Sequence, residues 1–199
     1  MKTRTSFQVR DIGQLDIKEE TTEKIISGYF IVCNSETELY DGVFEEIASE
    51  ALQAIDFSDV KALVDHDTSK VLGRTKASTL SLSVDSKGLY GEIRVNEQDQ
   101  EAMNLYSRVM RGDVDQCSFG FDILNEEMIQ NPDGTVKFII KSIKLYEVSV
   151  VTFPAYQDTA VEARSKQIKD AQQRAFQAQK NKMEDKLNGI KTTYFGKKN

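Results

Sequence analysis

Three side chains of this sequence, far apart along the chain, make up one kind of reactive set. His66, its only histidine, stands in Leu63-Val64-Asp65-His66-Asp67. Ser118 follows in Gln116-Cys117-Ser118-Phe119-Gly120, and Glu147 in Leu145-Tyr146-Glu147-Val148-Ser149. An imidazole, a hydroxyl and a carboxylate are what a serine hydrolase needs: a base, a nucleophile and a group that orients the base. Any imidazole chemistry in this chain must use His66. Each residue also has an ordinary reading. His66 is a surface histidine, Ser118 a solvent-facing serine beside a turn, and Glu147 half of a structural ion pair.

Cys117 is the stronger nucleophile by type, but strand alternation removes it. Side chains alternate across a strand, so Cys117, Phe119, Phe121 and Ile123 share an apolar face and Gln116, Ser118, Gly120 and Asp122 share the other. The apolar face must be the core face, which packs Cys117 away and turns Ser118 to the opposite side. Gly120 then leaves room beside Ser118 for a substrate backbone. By the same alternation Glu147 shares a face with Ile143, Leu145, Ser149 and Val151, where a carboxylate needs a partner. Cys33 and Cys117 lack CxxC spacing, and one histidine does not complete a zinc set with them. We expect no metal, no cofactor and no disulfide.

The elements that must position these residues read mainly as β-structure. Residues 25–33 read as a buried strand, and 60–64 as a strand that delivers His66 to a turn-rich loop at 65–69. Extended chain resumes at 71–73, and 77–84 and 89–95 alternate as the arms of a hairpin around Ser86-Lys87-Gly88. Phe44, Ile47 and Leu52 are spaced for a short helix over 43–55. Residues 97–111 give the clearest helix of the body, stopped by Gly112. The Ser118 strand follows. Asn131-Pro132-Asp133-Gly134 then turns the chain into strands at 136–141 and 142–153. Residues 1–20 are polar, and 158–187 reads as an exposed amphipathic helix. Short strands at close spacing favour a barrel.

Charge divides the same way. Of 26 Lys/Arg and 32 Asp/Glu, residues 161–199 hold 10 and 4, which leaves 16 and 28 for residues 1–160. A body at −12 thus carries a tail at +6. The acidic body argues against a nucleic-acid-binding barrel, and the tail has no dense Arg cluster. An acidic protein partner, or plain solvation, suits the tail better. No apolar run approaches the roughly 20 residues of a membrane span, and the start, Met1-Lys2-Thr3-Arg4, lacks the apolar stretch of a signal peptide. An intracellular protein without membrane contact is expected.

Four stretches together resemble the prohead (capsid maturation) serine proteases of tailed bacteriophages. They are Ser27-Gly28-Tyr29-Phe30 with Asn34; Leu63 to Asp67 with Val71-Leu72-Gly73-Arg74; Met110-Arg111-Gly112-Asp113-Val114 leading into Cys117 to Phe121; and Leu145 to Tyr156. Their order and spacing cover about residues 22–160. The chain then divides into a polar N-terminal segment 1–21, a serine protease domain 22–160 and a basic helical or disordered tail 161–199.

The resemblance implies roles. By matching position His66 is the general base, Ser118 the nucleophile and Glu147 the third member. It also implies an α+β fold, mainly β with flanking helices, built as an antiparallel β-barrel like that of herpesvirus assemblins. Assemblins use a second histidine as third member, which this chain lacks, so an acidic residue must substitute; a Ser-His dyad helped by Asp65 or Asp67 stays open. Implied substrates are the scaffolding segment of the major capsid protein and the protease itself, cut inside the assembling prohead in the host cytoplasm. Self-association is open. The runner-up is a catalytically inactive capsid-assembly or scaffold-binding module of the same fold. The oxyanion hole is expected to be a backbone amide in the loop 153–156.

Overall fold

One long strand organises the molecule. In the computed structural model, which describes residues 23–153, the backbone of 5–9 and scattered helical positions between 168 and 184, β10 (Val136–Val151) pairs along both edges. On one side it runs antiparallel to β9 (Gln116–Gln130), joined through the turn at Asn131–Gly134. Its other edge is shared by two short parallel strands. β4 (Val43–Ile47) lies against residues 136–140, and β5 (Lys61–Val64) against 147–150. β3 (Thr37–Tyr40) extends the sheet beyond β4, and β6 (Asp67–Arg74) beyond β5. β1 (Thr5–Val9) pairs with β9, so the sheet reaches into the polar segment 1–21. A second sheet of three strands, in the order β2 (Ile25–Val32), β8 (Gly88–Arg94), β7 (Leu80–Val84), is antiparallel throughout.

The core lies where apolar faces of the two sheets and one helix meet. Phe30, Phe119, Phe121, Leu89 and Ile93 are fully buried there, and the Phe119 and Phe121 rings stack at 4.7 Å. Helix α1 (Gln100–Arg111) adds Ala102, Leu105 and Val109. Its ends follow from sequence. The Asp99 carboxylate caps the first amides, and Gly112 at φ 77° returns its N–H to Arg108 and Val109. The chain divides into two compact units, residues 1–160 and 161–199.

The expected strands, the hairpin of β7 and β8 and the helix before Gly112 are present. Three expectations change. No closed barrel forms among the described residues: the strands make two sheets, and β4 and β5 join β10 in parallel. Instead of a helix over 43–55 there is strand β4 followed by a single 3₁₀ turn, Ser49–Leu52. Val43, Glu45 and Ile47 are its buried positions, a two-residue period that the carboxylate of Glu45 disguises; pairing with β3 and β10 overrides the local helical spacing. The strands expected at 136–141 and 142–153 are one strand, with register shifts around Ser142. The helical tail expected over 158–187 lies for the most part outside the described residues.

Candidate active site

β10 brings the three sequence segments together because its two edges carry the other two. Ser118 on β9 pairs with Ser149 of β10, and Gly120 pairs with Glu147. On the opposite edge Lys61 and Leu63 of β5 pair with the same Glu147 and Ser149. β5 ends at Val64, and the chain reverses through Asp65 and His66 into Asp67, which pairs back with Val64. Both turn residues have positive φ, 48° at Asp65 and 59° at His66, as the tightest hairpin connection requires. For most side chains such backbone costs about 1–2 kcal/mol, and aspartate tolerates it best after glycine and asparagine. The turn is held to the end of β10 and the residue after it: the Asp65 amide donates to the Val150 carbonyl at 3.0 Å, and Asp65 Oδ1 accepts from the Thr152 amide at 2.8 Å. At the open end of the hairpin Arg74 grips Asp59 with two nitrogens, Nη2 to Oδ2 at 2.8 Å. The guanidinium holds the Asp59 carboxyl well below the usual carboxylate range.

This anchoring places the imidazole against Glu147. His66 Nδ1 lies 2.8 Å from Glu147 Oε1, and the two side chains are only 15% and 11% exposed. A carboxylate on Nδ1 keeps the ring proton there and makes Nε2 the basic nitrogen. Among the described residues His66 is the only ion-pair partner of Glu147. Lys61, its register neighbour, turns to Asp59 instead. The two flanking aspartates do not take this role: Asp65 holds Thr152, and Asp67 accepts from the amide and hydroxyl of Ser69.

Glu147 reaches that position through a bulge. The register shifts between Leu145 and Glu147, so Leu145 keeps to the core while Glu147 joins Ser149 on the face of Ser118 and Gly120. Strict alternation had placed Glu147 with Ile143 and Leu145, which in fact belong to the core cluster. Gly120 also has a different purpose from the one expected. The space left by its missing side chain is filled by Glu147, whose carboxyl carbon lies 3.1 Å from where a Cβ would sit.

Ser118 is on the expected face, opposite Cys117, yet it is fully buried, as is Ser149 on that face, where Leu63 is also buried. Cys117 packs in the core with its thiol pushed up to about 12, first by burial and then by Asp115. It stays protonated at neutral pH. Sequence reasoning missed Ser149, whose hydroxyl donates to Glu147 Oε2. The signal was the spacing Glu-x-Ser, which puts both side chains on one face of a strand. Beside the hairpin a cleft of about 420 Å³ opens between β6 and α1, lined by Asp65, Lys70, Val71, Asp99, Leu105 and Arg108 among others. The loop proposed for the oxyanion hole lies, beyond Phe153, outside the described residues.

Comparison with known proteins gives the chain's relatives. The prohead protease of Escherichia phage T5 is 34% identical over 97 residues, which are 49% of this chain and 42% of that protein. The prohead protease of Enterobacteria phage HK97 is 30% identical over 83 residues, 42% of this chain and 36% of that protein. The chain thus spans less than half the length of both relatives. The solved capsid assembly protease of bacteriophage T4 superposes with a TM-score of 0.44 at 13% identity, over 75% of this chain and 96% of that one. The model of the caudovirus prohead serine proteases matches residues 13–174, wider at both ends than the four motifs, and the chain belongs to that family.

Proposed function

We propose that this chain is the prohead-maturation endopeptidase of a tailed phage, with His66 as general base, Ser118 as nucleophile and Glu147 as the group that orients the imidazole. The observation that carries this reading is the 2.8 Å contact of His66 with Glu147, 81 residues apart in sequence, on the strand that also holds Ser118 in register. In the reaction Nε2 takes the hydroxyl proton as Ser118 Oγ attacks a peptide carbonyl. The imidazolium, stabilised by Glu147, gives that proton to the leaving amine. Water then repeats the sequence on the acyl-enzyme and frees the serine. The substrates implied are the scaffolding segment of the capsid protein and the chain itself, inside the assembling head in the host cytoplasm. The protease domain takes in residues 22–160, and the basic tail docks on acidic scaffold.

Because Ser118 is enclosed, a peptide reaches it only after the covering groups withdraw. The same enclosure favours a second reading, an inactive module that binds capsid or scaffold without cutting. Co-expression with the capsid precursor of the same phage separates the two. Wild type should shorten the precursor by mass, and Ser118→Ala and His66→Ala should leave it intact. A precursor left whole by wild type supports the binding module, and processing by Ser118→Ala removes Ser118 as nucleophile.

A further inference from the structure

Glu147 has two oxygens, and only one of them meets the imidazole. The other, Oε2, accepts a hydrogen bond from the hydroxyl of Ser149, two residues along β10 and fully buried. Gly120 lies beneath the same carboxyl group, with no room for a Cβ. The carboxylate is therefore held from three sides: by the imidazole at Oε1, by a hydroxyl at Oε2 and by backbone below. A carboxylate free to rotate would exchange its oxygens and break the line from Oε1 to Nδ1. One that accepts two bonds in fixed directions keeps that line, and the second donor also keeps a buried charge satisfied.

We propose that Ser149 is a positioning residue of the site, a fourth member that acts on His66 through Glu147. Its register partner across the sheet is Ser118, so two serines face each other with different tasks. The proton of Ser149 is committed to the carboxylate. The role of Ser118 is attack. The inference rests on the triad reading above, and the experiment keeps the two distinguishable.

The test is the reaction of the full chain with a fluorophosphonate probe, which needs no knowledge of the cleavage sequence. It is combined with proton NMR of the imidazole Nδ1–H, unambiguous because His66 is the only histidine. In Ser149→Ala the maximal inactivation rate should fall about tenfold, the worth of one hydrogen bond to a charged group. The probe's half-saturation concentration should stay within about twofold. The downfield Nδ1–H resonance should exchange away. Ser149→Thr, which keeps the hydroxyl, should recover rate and resonance. A Ser149→Ala protein that keeps both overturns the proposal, as does a Ser149→Thr protein as slow as Ser149→Ala, because packing alone then explains the loss. Glu147→Gln is the control for the underlying reading. If it reacts as fast as wild type the triad itself falls, whereas a slow Glu147→Gln beside an unaffected Ser149→Ala removes Ser149 alone. A probe adduct on Ser149 overturns both.

Discussion

At the scale of single residues, the Glu147 carboxyl fills the space that a side chain at position 120 would take. Gly120→Ala would set a methyl group where the Glu147 carboxyl lies. The sheet is buried on both faces here, so the strain has no easy outlet and should cost about 1–3 kcal/mol. We expect a lowered urea midpoint with the slope unchanged, together with loss of processing; a variant as active and as stable as wild type would show that Glu147 does not need that space. Cys117 gives a second check. With its thiol at about 12 and in the core, it should resist iodoacetamide at pH 8 in the native protein and react at once in denaturant. The opposite facing of Ser118 and Cys117 was legible in sequence because alternation along residues 116–123 is clean. The face of Glu147 was not. A bulge moves every later side chain to the other face, and nothing in Leu145-Tyr146-Glu147 announces one.

At the scale of elements, the tight hairpin of β5 and β6 is what delivers His66. Sequence showed strand β5 and its turn residues but read 65–69 as a loop, since a two-residue reversal normally signals itself by Asn-Gly or Asp-Gly. Here Asp-His does the work because contacts at and just past the end of β10 hold it: the Asp65 amide on Val150 and the Asp65 carboxylate on Thr152. Asp65→Ala should lose that carboxylate bond and the aspartate's tolerance of positive φ, lowering stability by about 1–2 kcal/mol. It should reduce processing further by loosening the imidazole. Asp65→Asn, which keeps an oxygen acceptor and suits the same backbone, should stay close to wild type by both urea unfolding and processing. Equal behaviour of the two variants would mean that Asp65 does not anchor the turn. The missed strand β4 has the same lesson. Its period of two is hidden by Glu45, and only β3 and β10 beside it make the pairing.

At the scale of the whole molecule, an acidic body and a basic tail are written in the sequence, and the chain divides into units at residue 160. The sheet order was not legible, because β4 and β5 reach β10 through long connections and pair with it in parallel, which local spacing does not encode. If the tail docks the chain on scaffold, deletion of 161–199 should leave probe labelling at Ser118 intact and remove the protein from assembled proheads. Unchanged packaging of the truncated chain would end that assignment.

The most direct measurement of the central claim is the location of a fluorophosphonate adduct by peptide mass mapping. The triad predicts one adduct, on the peptide carrying Ser118, formed by wild type and slowed by orders of magnitude in His66→Ala. An adduct on another residue, or one that forms on Ser118 as fast without His66, would contradict it.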